Sequence, residues 1–145
     1  MGRIVHFEIQ ASDPEALATF YRALLGWKVE KWGGMDYWLL ETGPAESPGI
    51  NGGLLPRRGP RPAPGQSVNA FVCTAEVAAL DDTFARALAL GAVAAVPKMP
   101  IPGVGWLAYV QDPEKMPIPG VGWLAYVQDP DGNLLGLMQP DPAAK

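Results

Sequence analysis

The amino-acid sequence predicts an α+β fold made of two βαβββ modules, with one surplus strand unit in the second module. In the first half, an alternating strand, a capped helix and three extended segments follow one another. The same order restarts after a Pro- and Gly-rich stretch, and both helices carry the pattern Thr-Phe-x-Arg-Ala-Leu at an offset of 64 residues. Chance similarity between two amphipathic helices is the alternative explanation of that pattern. We expect modules at 1–56 and 67–145, with 57–66 as a linker.

The first strand and helix are predicted by side-chain periodicity. The opening strand alternates, with apolar residues on one face and His6, Glu8 and Gln10 on the other. Ser12 or Asp13 then offers a helix N-cap, and an apolar stripe with helical spacing runs over 17–25. Gly26 stands where a left-handed residue ends such a helix.

The remaining elements are predicted from apolar runs and turn formers. Three extended segments complete the first module, at 27–32, 36–42 and 50–56. In the second module, a strand over 67–74 precedes a helical stripe over 80–88 that Gly91 closes. The intervening stretch 57–66 is rich in Pro, Gly and Arg, which is typical of a linker.

An exact tandem repeat distinguishes the second module. Residues 98–113 recur letter for letter at 115–130, an offset of 17 residues. Such identity indicates either a recent duplication or a designed one. Only the second copy continues through a short turn into the final strand, so we expect 123–128 to fill the native strand position and 106–111 to be surplus.

Composition limits the classes of function. The chain has 145 residues, 48% of them hydrophobic and 18% charged, which is enough to build a folded core. Its net charge of −4 argues against a nucleic-acid partner. The lack of a membrane-length apolar run and of a signal-peptide pattern predicts no membrane association, and the lone Cys73 fits a reducing compartment. We therefore expect a cytoplasmic protein.

Several segments together resemble the vicinal oxygen chelate superfamily of glyoxalase, bleomycin-resistance and extradiol-dioxygenase proteins. They are HFEIQASDP (6–14), FYRALLGW (20–27), the strand and helix over 67–91, and WLAYVQDPDGNLLGLMQ (123–139). The resemblance implies that the two sheets curve around a shared cleft, and it implies a homodimer.

The resemblance also implies a divalent metal held by His, Glu or Gln from the first and last strands of each module. His6 matches the first-strand ligand of the first module. The last strand of that module offers Asn51 and glycines, while Asn69 and Gly136 stand where the second module would supply His and Glu. One imidazole and weak amides make a poor metal site. We therefore expect no complete metal site and no cofactor.

A second metal-like pattern has an ordinary explanation. Asp129, Asp131 and Asn133 have the spacing that begins a calcium loop. Leu134 and Pro140 stand at the positions where that loop needs Gly and Glu, so a tight hairpin turn is expected instead.

These observations give three functional hypotheses. The first is a small-molecule binding protein of the glyoxalase/bleomycin-resistance type, whose candidate ligand-binding residues are His6, Glu8, Gln10 and Asn69. The same polar strip could instead be the solvated face of a sheet. The second is a lyase or isomerase that uses Glu8 or His6 as general base on a small carbonyl compound. The third is a natural or engineered strand-duplication variant with incidental activity. Whether the protein is an enzyme stays open at this point.

Overall fold

The computed structural model describes residues 2–67, 70–100 and 122–141. The chain divides into two compact units, Met1–Pro64 and Gly65–Lys145. Each unit contains one four-stranded sheet and one helix. Within the described ranges, no helix is long and apolar enough to cross a membrane.

The first unit has the predicted βαβββ order. Its elements are β1 (His6–Ala11), α1 (Pro14–Leu25), β2 (Lys28–Lys31), β3 (Trp38–Glu41) and β4 (Asn51–Pro56). The strands lie in the order β1-β4-β3-β2. β1 and β4 run parallel, whereas β3 is antiparallel to both of its neighbours.

The predicted caps explain where α1 begins and ends. The Asp13 carboxylate accepts a hydrogen bond from the Ala16 backbone N–H at 3.0 Å. Gly26 adopts φ of 70° and donates its N–H to the Arg22 carbonyl at 3.1 Å, as a left-handed C-cap does. The apolar stripe between these caps is buried, and so are the alternate residues of the sheet, including Leu40 and Leu54. The other face of the sheet is thereby left for polar residues.

The second unit repeats the arrangement of the first. Its elements are β5 (Thr74–Glu76), α2 (Leu80–Ala89), β6 (Val93–Pro100), β7 (Gly122–Gln128) and β8 (Leu134–Pro140). Their order in the sheet, β5-β8-β7-β6, corresponds strand for strand to that of the first unit. The prediction of two βαβββ modules is confirmed.

The strand predicted over 67–74 is wrong in its span, because the structure has a strand only at Thr74–Glu76. The prediction followed the apolar run that ends at Cys73, but Phe71 within that run is 99% exposed. Pairing with β8 starts only at Thr74, opposite Gly136. A strand needs a ladder partner as well as apolar character. Asn69, the fourth candidate ligand-binding residue, lies outside the described residues.

The second copy of the repeat supplies β7. This strand pairs with β8 from Gly122 opposite Pro140 to Gln128 opposite Leu134, and with β6 on its other edge. The connectivity argument therefore named the occupant of this position correctly. The predicted surplus strand of the first copy, 106–111, lies outside the described residues.

The turn after β7 is the expected hairpin turn. The buried Asp129 carboxylate accepts hydrogen bonds from the backbone N–H groups of Asp131 and Asn133, each at 2.9 Å. It also accepts one from Asn133 Nδ2 at 2.8 Å, and Gly132 adopts a positive φ of 87°. The carboxylate oxygens thus satisfy the turn itself.

Candidate functional site

The first sheet presents a polar face on the side away from the buried stripe of α1. Parallel register places Glu8 of β1 beside Gly53 of β4, with His6 beside Asn51 and Gln10 beside Leu55. Residues in register on neighbouring strands point to the same side of a sheet, so the polar strip of β1 continues onto β4. The alternation seen in the sequence is therefore confirmed as one continuous surface.

A tyrosine that the sequence arguments did not select completes this surface. Tyr37, immediately before β3, brings its hydroxyl within 2.8 Å of His6 Nε2. The same hydroxyl donates to Glu8 Oε1 at 3.4 Å. Tyr37 is half-buried, whereas His6 and Glu8 are exposed. We call these three residues the His6–Tyr37–Glu8 cluster.

A glycine makes room for the tyrosine. A Cβ on the buried Gly53 would overlap the ring and hydroxyl of Tyr37. The preceding glycine, Gly52, faces the opposite side of the sheet, where a Cβ would lie 2.6 Å from the Phe7 ring. The two neighbouring glycines therefore serve different faces, and only Gly53 positions the cluster.

The surroundings of Tyr37 favour its protonated form. Partial burial raises the pKa of Tyr37 above its ordinary range, and the negative charge of Glu8 and the hydrogen bond to Glu8 raise it further. The hydroxyl therefore keeps its proton at neutral pH. It is a hydrogen-bond donor held next to two groups that can accept a proton.

An open pocket of about 230 Å³ adjoins the cluster. It shares His6 with the cluster and is otherwise lined by Lys28, Glu30, Leu39, Leu40, Glu41, Asn51 and Gly52. Lys28 Nζ lies 3.3 Å from Glu30 Oε1 and 3.8 Å from Glu41 Oε2, so two carboxylates share one ammonium. Leu39, 43% exposed, adds an apolar surface. The pocket can offer a small ligand charged, hydrogen-bonding and apolar contacts.

Asn51 is held in a fixed orientation at the edge of this pocket. Its Oδ1 accepts a hydrogen bond from the Thr42 backbone N–H at 3.0 Å. Because an amide carries its oxygen and nitrogen on opposite sides, this bond leaves Nδ2 as the donor for a ligand.

The structure treats the predicted site residues differently. It brings His6 and Glu8 together through Tyr37. Gln10 lies farther along the same face, where its backbone carbonyl accepts a hydrogen bond from Arg57 at 2.8 Å. The missed residue had a usable signal, since Tyr37, Leu39 and Glu41 alternate with the buried Trp38 and Leu40.

The described residues do not fit the divalent metal that the resemblance implies. In residues 2–67, 70–100 and 122–141, no three His, Cys, Asp or Glu side chains are grouped to hold a metal ion. His6 Nε2 is hydrogen-bonded to Tyr37, and Gly53 presents no side chain opposite Glu8. In the second sheet, the space that a side chain at Gly136 would need is filled by Thr74.

Solved structures show where this fold occurs elsewhere. A glyoxalase-related enzyme from Fulvimarina pelagi is 17% identical with a TM-score of 0.60, covering 100% of this chain and 98% of that one. A glyoxalase/bleomycin resistance protein/dioxygenase family enzyme from Burkholderia phytofirmans PsJN is 15% identical with a TM-score of 0.63, covering 97% and 100%. The fosfomycin resistance protein FosX from Listeria monocytogenes is 13% identical with a TM-score of 0.62, covering 97% and 95%. At these identities the likeness shows the fold alone.

Sequence comparison identifies the family. No curated protein matches the sequence. The family model described as a glyoxalase-like domain matches residues 6–138, which is most of the chain. Together with the two-module fold, this match establishes that the chain belongs to the glyoxalase-like domain family.

Proposed function

We propose that this protein binds a small molecule on the polar face of its first sheet, without a complete metal site. The observation that carries the proposal is the Tyr37 hydroxyl, held between His6 and Glu8 next to a pocket of about 230 Å³. Relatives of the same fold that are named for resistance to fosfomycin or bleomycin support a small molecule as the ligand.

The charges at the site favour certain ligands. Glu8, Glu30 and Glu41 carry negative charge, and Lys28 is the cation that lines the same pocket. This balance favours a neutral or cationic compound over an anionic one. A compound with hydrogen-bonding groups and a short apolar part would match the lining best.

A specific observation keeps the second hypothesis, a lyase or isomerase, as a candidate. Acid–base chemistry on a carbonyl compound needs a proton donor near the carbonyl oxygen as well as a base. The sequence arguments supplied the bases, Glu8 and His6, and Tyr37 adds a donor in contact with both.

The binding proposal can be tested through His6, which is the single histidine of the chain. Its imidazole proton signals therefore report on the site without ambiguity in an NMR titration against a library of small polar compounds. We expect binders to shift these signals in the wild type and to lose affinity in Gly53→Ala, in which Tyr37 is displaced. Ligands that bind with equal affinity to both proteins would overturn the proposed location.

The metal-free part of the proposal has its own test. We expect elemental analysis of the purified protein to find no stoichiometric Zn, Ni, Mn or Fe, and we expect His6→Ala to leave the metal content unchanged. About one metal ion per chain, lost in His6→Ala, would contradict this part while leaving small-molecule binding possible.

We also propose a cytoplasmic homodimer. Within the described strands, β1 is an edge strand, and Ile4 and Val5 just before it are both 73% exposed. Open sheet edges and exposed apolar side chains favour association with a second copy. Sedimentation at micromolar concentration should give twice the 15.4 kDa mass of one chain. A single 15.4 kDa species would exclude the dimer.

A further inference from the structure

We propose that the His6–Tyr37–Glu8 cluster catalyses proton transfer at the carbon next to the carbonyl group of its ligand. Tyr37 donates a hydrogen bond to the carbonyl oxygen, Glu8 is the base that removes the proton, and His6 positions Tyr37. This inference rests on the proposed function, because it requires a small carbonyl compound to bind at the same face.

The two distances at the Tyr37 hydroxyl support different roles for its partners. The 2.8 Å contact with His6 Nε2 has the length of a good hydrogen bond. The 3.4 Å contact with Glu8 is longer than an ordinary O–H···O bond, so the hydroxyl holds this carboxylate only weakly. A ligand carbonyl can therefore accept the hydroxyl proton in place of Glu8, which leaves the carboxylate free to act as a base.

The separation of donor and base suits the proposed chemistry. A carbonyl oxygen and the neighbouring C–H group are attached to the same carbon, so an acid and a base that act on them must lie side by side. The Tyr37 hydroxyl and Glu8 Oε1 are 3.4 Å apart on one sheet face. The phenol is held protonated and the carboxylate is exposed, and these are the forms that the two roles require.

His6 acts through Tyr37. When the hydroxyl proton points at the ligand, the Tyr37 oxygen can accept a hydrogen bond from a protonated His6 Nε2. That bond fixes the hydroxyl above Gly53 and strengthens it as a donor. We therefore assign His6 as a positioning residue.

The proton-transfer step balances without any other reagent. Glu8 takes the proton, the electron pair of the C–H bond forms a C=C bond, and the carbonyl electron pair moves to the oxygen. The negative oxygen is held by the Tyr37 hydroxyl, which keeps its proton. Return of a proton from Glu8 to the same carbon regenerates the compound. In D2O the exposed carboxylic acid exchanges with solvent, so the compound becomes deuterated.

Hydroxyacetone in D2O provides the test, because it is small and carries protons next to its carbonyl. Proton NMR measures both the loss of its CH2 signal and the shift of the His6 imidazole signals on binding. We expect the wild type to accelerate deuteration well above buffer. Tyr37→Phe should slow it by about 100-fold or more while still binding the probe, since removal of one oxyanion donor has that effect in other enzymes. Glu8→Gln should abolish acceleration.

Controls separate catalysis from folding. Tyr126→Phe removes a half-buried tyrosine hydroxyl from the second sheet and should leave the rate unchanged. His6→Gln retains a side-chain N–H donor and should recover much of the rate that His6→Ala loses, which a purely structural role would not produce.

The outcomes distinguish the two proposals. Equal rates in the wild type and Tyr37→Phe, or binding without acceleration, would overturn the catalytic inference and leave the binding proposal standing. No shift of the His6 signals and no deuteration above buffer would contradict both.

Discussion

The two sheets use the same backbone position in different ways. In each, the last strand carries a buried glycine opposite a first-strand residue, Gly53 opposite Glu8 and Gly136 opposite Thr74. The space above Gly53 is taken by Tyr37, whereas the space beside Gly136 is taken by Thr74 itself. A polar cluster therefore forms where a residue from outside the strand pair enters the space that glycine leaves.

The rest of each face follows the same division. Around Gly53 the first sheet carries ionisable side chains, among them Lys28 and Glu30. On the corresponding side of the second sheet, the register of β7 and β8 aligns Leu124 with Met138 and Tyr126 with Gly136. The described part of the second sheet is thus apolar where the first is ionisable, and we assign the ligand to the first.

The largest expected effect distinguishes the two copies of the repeat in the second sheet. Leu124 of the second copy is 4% exposed, and Leu124→Ala should lower the free energy of unfolding by about 2–5 kcal/mol. Leu107 is the matched residue of the first copy, and Leu107→Ala leaves every described contact in place, so its effect should be smaller. Urea denaturation measures both, and a larger loss for Leu107→Ala would reverse the assignment.

The two glycines provide the next comparison. Gly53→Ala and Gly136→Ala should each destabilise the protein by about 1–3 kcal/mol, because both introduce a Cβ into occupied space. Only Gly53→Ala should reduce ligand binding measured by calorimetry. Loss of binding in Gly136→Ala alone would place the ligand elsewhere. We also expect Gly136→Glu not to create tight zinc binding, since the other ligand positions lack metal-binding side chains.

Removal of one repeat should have a smaller effect. Deletion of 17 consecutive residues beginning anywhere from 98 to 114 gives the same 128-residue sequence. It shortens the connection between the paired residues Pro100 and Trp123 from 22 residues to five, close to the six between Lys31 and Trp38 in the first sheet. Loop closure then costs about 1 kcal/mol less, so stability should be equal or greater. A shortened chain with a lower melting temperature would contradict this.

The smallest effect concerns alkaline pH. Because the pKa of Tyr37 is raised in the folded protein, folding holds its proton more tightly than the unfolded chain does. Stability present below pH of about 10 should therefore fall as pH rises through the folded-state pKa. Ultraviolet absorbance of the phenolate, compared between wild type and Tyr37→Phe, should show one tyrosine that titrates late. A Tyr37 that titrates at its ordinary pH would remove the proposed influence of Glu8 and burial.

Local sequence rules predicted the fold but only part of the cluster. Asp13 and Gly26 delimit α1 as expected, since capping depends on nearby residues. The strand over 67–74 was misplaced because ladder pairing with β8, which is distant in sequence, decides where β5 lies. His6 and Glu8 were accessible from alternation within one strand. Tyr37 was not, since its contact with them requires β4 to lie between β1 and β3 with Gly53 in register.

The central claim is that the ligand binds at the His6–Tyr37–Glu8 cluster of the first sheet. The most direct measurement is the imidazole proton spectrum of His6 during titration with hydroxyacetone, in wild type and in Gly53→Ala. Our account predicts a saturable shift in the wild type that is lost in Gly53→Ala although that variant remains folded. A shift that persists in Gly53→Ala, or saturable binding that leaves the His6 signals unmoved, would contradict it.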